Sequence, residues 1–178
     1  LAAPAVVSYN GNILVVGGEG VNRTPGSVYD HFIWRVVWSS ADGRTWSRSL
    51  PAGGCPWGSR ASHRAAVFRN RVWIHGGAFD GDYPWPGMID TYYYDLHYTE
   101  GEGDLWTRAF DAAAGSFQAR AYHSFIAYDG YLWIFMGIGA SIRTVGPDPY
   151  GQTTTIVGTA LQKEVWRSAD GLNWRRLY

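Results

Sequence analysis

The same apolar pattern occurs three times along the chain, each time interrupted once by a turn. The segments run from Val6 to Gly18, Ala65 to Gly77 and Phe125 to Gly137, and they align without gaps. Tyr9, Phe68 and Tyr128 correspond, as do Leu14, Trp73 and Trp133. The closing glycines Gly18, Gly77 and Gly137 are 59 and then 60 residues apart. Within each segment two short apolar runs flank Asn10-Gly11, Arg69-Asn70 or Asp129-Gly130. Asn-Gly and Asp-Gly tolerate the positive φ of a type I′ turn, whose twist matches that of paired strands. Arg69-Asn70 is the weaker version. Each segment therefore predicts a β-hairpin.

A second pair of strands follows in each repeat. Trp38-Ser39-Ser40-Ala41-Asp42-Gly43-Arg44-Thr45-Trp46 matches Trp166-Arg167-Ser168-Ala169-Asp170-Gly171-Leu172-Asn173-Trp174 at six of nine positions. The middle repeat keeps Tyr94-Asp95-Leu96 and Trp106 but carries a longer Gly/Glu-rich stretch, Glu100 to Asp104. Four strands in two hairpins per repeat predict an all-β chain of three four-stranded antiparallel blades, with limits at about 1–52, 53–113 and 114–178. In the tight turns, the carboxylates of Asp42 and Asp170 are expected to bond turn amides. Gly43 and Gly171 would take the left-handed position, and Trp46 and Trp174 would be buried between sheets.

These features resemble the Kelch superfamily of β-propellers, which includes the central domain of galactose oxidase and the sialic-acid epimerases. The marks are Arg-x-x-His before the first strand, Gly-Gly after the second and an aromatic in each outer strand. Arg60 and His63 match in the second repeat, Arg120 and His123 in the third. The first repeat departs, with Leu1 and Pro4 at those positions, and the third Gly-Gly is Met136-Gly137. The Ser-x-Asp-Gly-x-x-Trp turns also resemble a one-residue-shorter Asp-box of sialidases, which in that family lies away from the catalytic centre. Closed propellers have four to eight blades. Three blades imply part of a larger ring of six or seven, completed by the rest of a longer chain or by a second copy. Because Leu1 is not an initiator methionine, a longer polypeptide is the expectation.

Composition narrows the function. Lys+Arg and Asp+Glu balance at 15 each with no basic cluster, which argues against counterion-release binding to nucleic acid. No stretch approaches the roughly 20 apolar residues of a membrane helix. The lone Cys55 forms no internal disulfide and excludes a multi-Cys zinc site. The five histidines, His31, His63, His75, His97 and His123, show no close metal-ligand spacing. No catalytic residue, metal site or cofactor is therefore assigned.

Function is expected in loops. Long inserts at Glu19 to Ser27, Ala78 to Met88 and Gly139 to Gln152 belong to one face of the array. Recognition of a protein or glycan partner is expected there, with Trp57, Tyr83, Trp85 and Arg143 as candidate contacts, since aromatics and Arg dominate binding hot spots. The alternative implied by the resemblance is a carbohydrate-active enzyme. Arg60 and Arg120 would then recognise an acidic sugar, although equivalent positions in a repeat are explained more economically by a repeated structural job. Asn22-Arg23-Thr24 is a glycosylation sequon in the first insert and points to an extracellular or cell-surface setting.

Overall fold

The computed structural model describes residues 3–22, 30–49, 55–78, 91–95, 105–110, 119–145 and 154–178. Among these residues every regular element is a strand. The first sheet orders β1 (Ala5–Tyr9), β2 (Asn12–Val16), β5 (Val37–Ser40) and β6 (Ser47–Ser49) as an antiparallel meander. The second is built from β7 (Arg64–Phe68), β8 (Arg71–His75), β9 (Thr91–Asp95) and β10 (Leu105–Phe110) in the same order. The third uses β12 (Ser124–Tyr128), β13 (Tyr131–Phe135), β16 (Val165–Ser168) and β17 (Arg175–Arg176). The all-β class and the repeated four-stranded antiparallel sheet are as the sequence predicts.

Turn chemistry sets the registers. The first hairpin turns through Asn10 and Gly11 at φ 46 and 74, the third through Asp129 and Gly130 at φ 48 and 75. Arg69 and Asn70 adopt the same geometry at φ 50 and 56 despite the missing glycine. Each turn pins five pairs, from Tyr9 opposite Asn12 back to Ala5 opposite Val16 in the first hairpin.

Two inserts differ from the loops expected of them. β3 (Glu19–Asn22) pairs with β4 (Asp30–Ile33), and β14 (Ile138–Val145) pairs over eight residues with β15 (Thr154–Leu161). β14 also pairs with the short β11 (Arg120–Ala121). Both hairpins leave their sheets between the second and third strands. Their sequences gave little strand signal, because Gly20, Gly139 and Gly158 interrupt the alternation.

The first strands of successive sheets lie side by side, β1 beside β7 and β7 beside β12. Period-two alternation gives each sheet two faces, and the middle sheet uses both. Val72 and Ile74 face the first sheet, in a core with Tyr9, Leu14, Val16, Val37, Trp57 and Trp106. Ala66, Phe68 and Trp73 face the third, with Phe125, Leu132, Ile134 and Trp166. No closed ring is seen among the described residues: the three sheets form an open array.

Candidate functional site

The Arg-x-x-His segments lie where neighbouring sheets meet. Ser62 and Tyr122, each just before the histidine, take left-handed backbone at φ 56, and Ala3 does so at φ 49. A backbone series follows: Ser62 N–H donates to the Ala3 carbonyl at 2.9 Å, and Tyr122 N–H to the Ser62 carbonyl at 3.1 Å. The turn carries each arginine carbonyl to the preceding sheet, where Gly18 N–H donates to Arg60 and Gly77 N–H to Arg120, both at 2.9 Å.

Both arginines are fully buried, at 0% exposure. Arg60 donates from Nη1 to the Gly76 carbonyl at 2.8 Å and lies over the Trp57 ring, 5.9 Å from its centroid. Arg120 donates from Nη1 to the Met136 carbonyl at 3.0 Å and reaches Glu164 with Nη2 at 3.5 Å. A buried guanidinium with fixed internal acceptors holds its own chain together, and its planar fork suits that task. Contact with an acidic sugar would require these arginines to be uncovered.

The histidines behave likewise. His123 Nε2 lies 2.8 Å from His75 Nδ1, and His63 packs against Gly17. Burial, reinforced by Arg120 and Arg64, pulls the His123 pKa down to about 3. Burial first, then His123, Arg120 and Arg60, holds His75 well below the ordinary range. For His63, burial and Arg60 act in the same direction. These rings are neutral at pH 7 and sealed from solvent, so they serve as packing and hydrogen-bonding groups. Spacing offers no reason to single out His75. Its signal was positional, a polar residue where the aligned repeats carry Val16 and Phe135.

Trp57, expected on the binding face, is instead at 0% exposure, edge-on to Trp106 at 5.7 Å. Its flat apolar ring fills the core beside Cys55, and nothing in the local Gly/Pro sequence revealed that. Burial raises the Cys55 thiol to about 11, so it is no ready nucleophile. Arg143 lies on β14 opposite Ile156. Tyr83 and Trp85 lie outside the described residues, as do Arg23 and Thr24 of the sequon, while Asn22 ends β3.

The two Asp-Gly turns are built alike. Asp42 Oδ1 accepts from the backbone N–H of Arg44 and Thr45 at 2.8 and 2.7 Å, and Asp170 Oδ1 from Leu172 and Asn173 at 2.8 Å each. Ser40 and Ser168 accept from Gly43 and Gly171 N–H at 2.8 Å, the glycines standing at φ 71 and 79. These bonds hold Asp42 at about 2 and keep Asp170 low against the opposing effect of its partial burial. The expectation of two buried tryptophans needs correction. Trp174 packs beside Phe125 at the second core, but Trp46 is exposed, since among the described residues no sheet covers that side of the first sheet.

The described surface also holds an open cavity of about 430 Å³ lined by Leu161, Lys163, Glu164, Arg176 and Tyr178. Among the described residues no group of three His, Cys, Asp or Glu is placed to hold a metal, and no helix is long and apolar enough to cross a membrane. No known family model matches this chain, and no curated protein matches it.

Proposed function

We propose that the three sheets are consecutive blades of a Kelch-like β-propeller, and that the protein is a binding or assembly module. Its partner, a protein or glycan, would be held on the side of the array that carries the inserts. Support for the blades comes from the common strand order, the adjacent first strands and the repeated arginine–glycine bonds between sheets. The observation that carries the binding role is the shared origin of the β3–β4 and β14–β15 hairpins between second and third strands. Both described hairpins thus belong to the same connection of their repeats, where long inserts on a strand scaffold commonly carry recognition.

The epimerase-like reading asks Arg60 and Arg120 to meet a carboxylate, and their burial weighs against it. Arg143, Tyr83 and Trp85 are the contacts this proposal favours. A sequon reaching the end of β3 fits an extracellular or cell-surface protein. The test is a glycan array with a parallel protein-partner screen, repeated with Trp85→Ala and Arg143→Ala. Lost binding at unchanged melting temperature supports the module. Unchanged binding in both variants removes the inserts from the site.

A further inference from the structure

Equivalent positions in the three sheets have unequal surroundings. Tyr9 and Phe68 are 4% and 7% exposed because the next sheet covers them, and the Tyr9 hydroxyl donates to the Asn70 carbonyl at 2.6 Å. Their equivalent in the third sheet, Tyr128, is 69% exposed, and Ile126 on the same face is exposed too. At the other end of the array, Phe125 is 4% exposed while its first-sheet equivalent Val6 is 55% exposed. Ile13 is likewise exposed where Val72 and Leu132 are buried. The far face of the third sheet and the near face of the first are apolar surfaces of the kind that mark an interaction site.

Two departures from the repeat say what covers them. The first concerns Trp73, whose ring lies so close to Gly171 that a Cβ there would collide with it. Trp133 holds the same pose, its Nε1 donating to the Tyr128 carbonyl at 2.9 Å as Trp73 donates to Phe68 at 3.0 Å. In the first sheet that position is Leu14, and the sheet that follows lacks the Asp-Gly turn. Trp73 is followed by a sheet that has the turn. Trp133 therefore calls for a neighbour with an Asp-Gly turn, and Asp42-Gly43 in the first sheet is the other one. Gly43 is exposed, with only the Ile13 Cδ1 atom near its missing Cβ, at 3.8 Å.

The second departure concerns the glycine that receives the next Arg-x-x-His. A Cβ on Gly17 would meet the Arg60 carbonyl and His63 Cε1, both at 2.8 Å, and one on Gly76 would meet Arg120 and His123. The third sheet has Met136 there. A neighbour carrying the histidine would drive its ring into that side chain. The first sheet carries Pro4 in place of the histidine, and Ala3 before it keeps the left-handed turn.

We infer that the far face of the third sheet binds the near face of the first sheet in a second copy of this chain. The contact is made twice and closes a ring of six sheets. The inference rests on the blade reading above. Two copies bring six sheets together, within the four-to-eight range of closed propellers. A head-to-tail contact that closes after half a turn leaves neither face open.

The test is light scattering on the 178-residue chain across a concentration series, with variants at both faces. The expected mass is twice 19.8 kDa. Tyr128→Lys and Val6→Lys should each weaken self-association about 30-fold or more, the scale of a hot-spot loss, with folding checked by circular dichroism. Mixed together, they should form a heterodimer, since one pair of intact faces remains. Trp133→Leu, which installs the first-sheet residue, should weaken association in the same way and covers the case in which a lysine variant does not fold. A wild-type mass of one copy or of an open-ended series overturns the proposal. So does a dimer that Val6→Lys leaves intact, because the third sheet would then pair with itself. Trp73→Ala separates the two claims. A lowered melting temperature sustains the blade contact between second and third sheets whatever the mass, whereas no change removes the blade reading and this inference with it.

Discussion

His75 Nδ1 and His123 Nε2 face each other at 2.8 Å across the boundary between the second and third sheets, with both rings buried. One nitrogen must donate and the other accept, so at least one ring is neutral, and burial holds both below their ordinary pKa. The charged groups that bear on it are Arg60, Arg64 and Arg120, all cationic.

Stability should therefore fall as the pH drops below 6.5. Unfolded histidines take up protons below 6.5, while His123 in the fold resists until about 3, so the unfolded state binds more protons in that window. The contribution is fully present above 6.5 and is lost progressively towards 3. Asp42 and Asp170 add a loss of the same sign, but only below their ordinary value of 3.8. Urea midpoints measured between pH 6.5 and 4.5 should decline, and His75→Val, which copies Val16, should flatten the decline. A level profile for the native protein would contradict the buried neutral pair.

Glycine substitutions should separate close approach from backbone strain. Gly76 and Gly130 both have positive φ, 64 and 75, but only Gly76 faces a neighbouring sheet. Gly130→Ala should cost about 1 kcal/mol, the left-handed penalty alone. Gly76→Ala adds overpacking against Arg120 and His123, for a total of about 3 kcal/mol or more. Denaturant titration of both variants checks the order, and equal costs would contradict the interlock between sheets.

The two Asp-Gly turns should respond unequally to the same change. The Asp170 turn places the buried Gly171 against Trp73, so Asp170→Ala should destabilise by about 1 kcal/mol by loosening that contact, although water reaches the Leu172 and Asn173 amides. Water can replace the carboxylate at the exposed Asp42 turn, and Asp42→Ala in the single chain should lower the melting temperature less. A larger loss at Asp42 would contradict this assignment of neighbours.

How far these features could be read from the sequence depends on how local their causes are. The hairpin turns at Asn10-Gly11 and Asp129-Gly130 were legible because those residues themselves favour the turn backbone. The Asp42 and Asp170 turns were legible for the same reason, since donors and acceptor lie within three residues. Trp57 and Trp46 were not. An aromatic ring is buried or bare according to which sheet lies beside it, and adjacency between sheets leaves no mark on the local pattern. The β14–β15 hairpin was missed because pairing over eight residues compensates for a glycine-interrupted alternation that carries little strand signal. His75 was visible only as the odd residue in an aligned column.

Cys55 reports on the first core. Its thiol is buried beside Trp57 and raised to about 11, so alkylation by iodoacetamide near neutral pH should be slow in the folded chain. Labelling should accelerate across the denaturant transition and coincide with loss of the circular dichroism signal. Rapid labelling under native conditions would place Cys55 at the surface and contradict the described core.

The central claim is that the sheets follow one another around an axis as propeller blades. A crystal structure of the chain in its solution assembly tests it most directly. The expected result has β1, β7 and β12 innermost in successive sheets, lining a channel, with the Asp42-Gly43 turn resting on Trp133 of a second copy. Sheets stacked as a closed sandwich, with no channel and with Trp133 facing solvent, would contradict it.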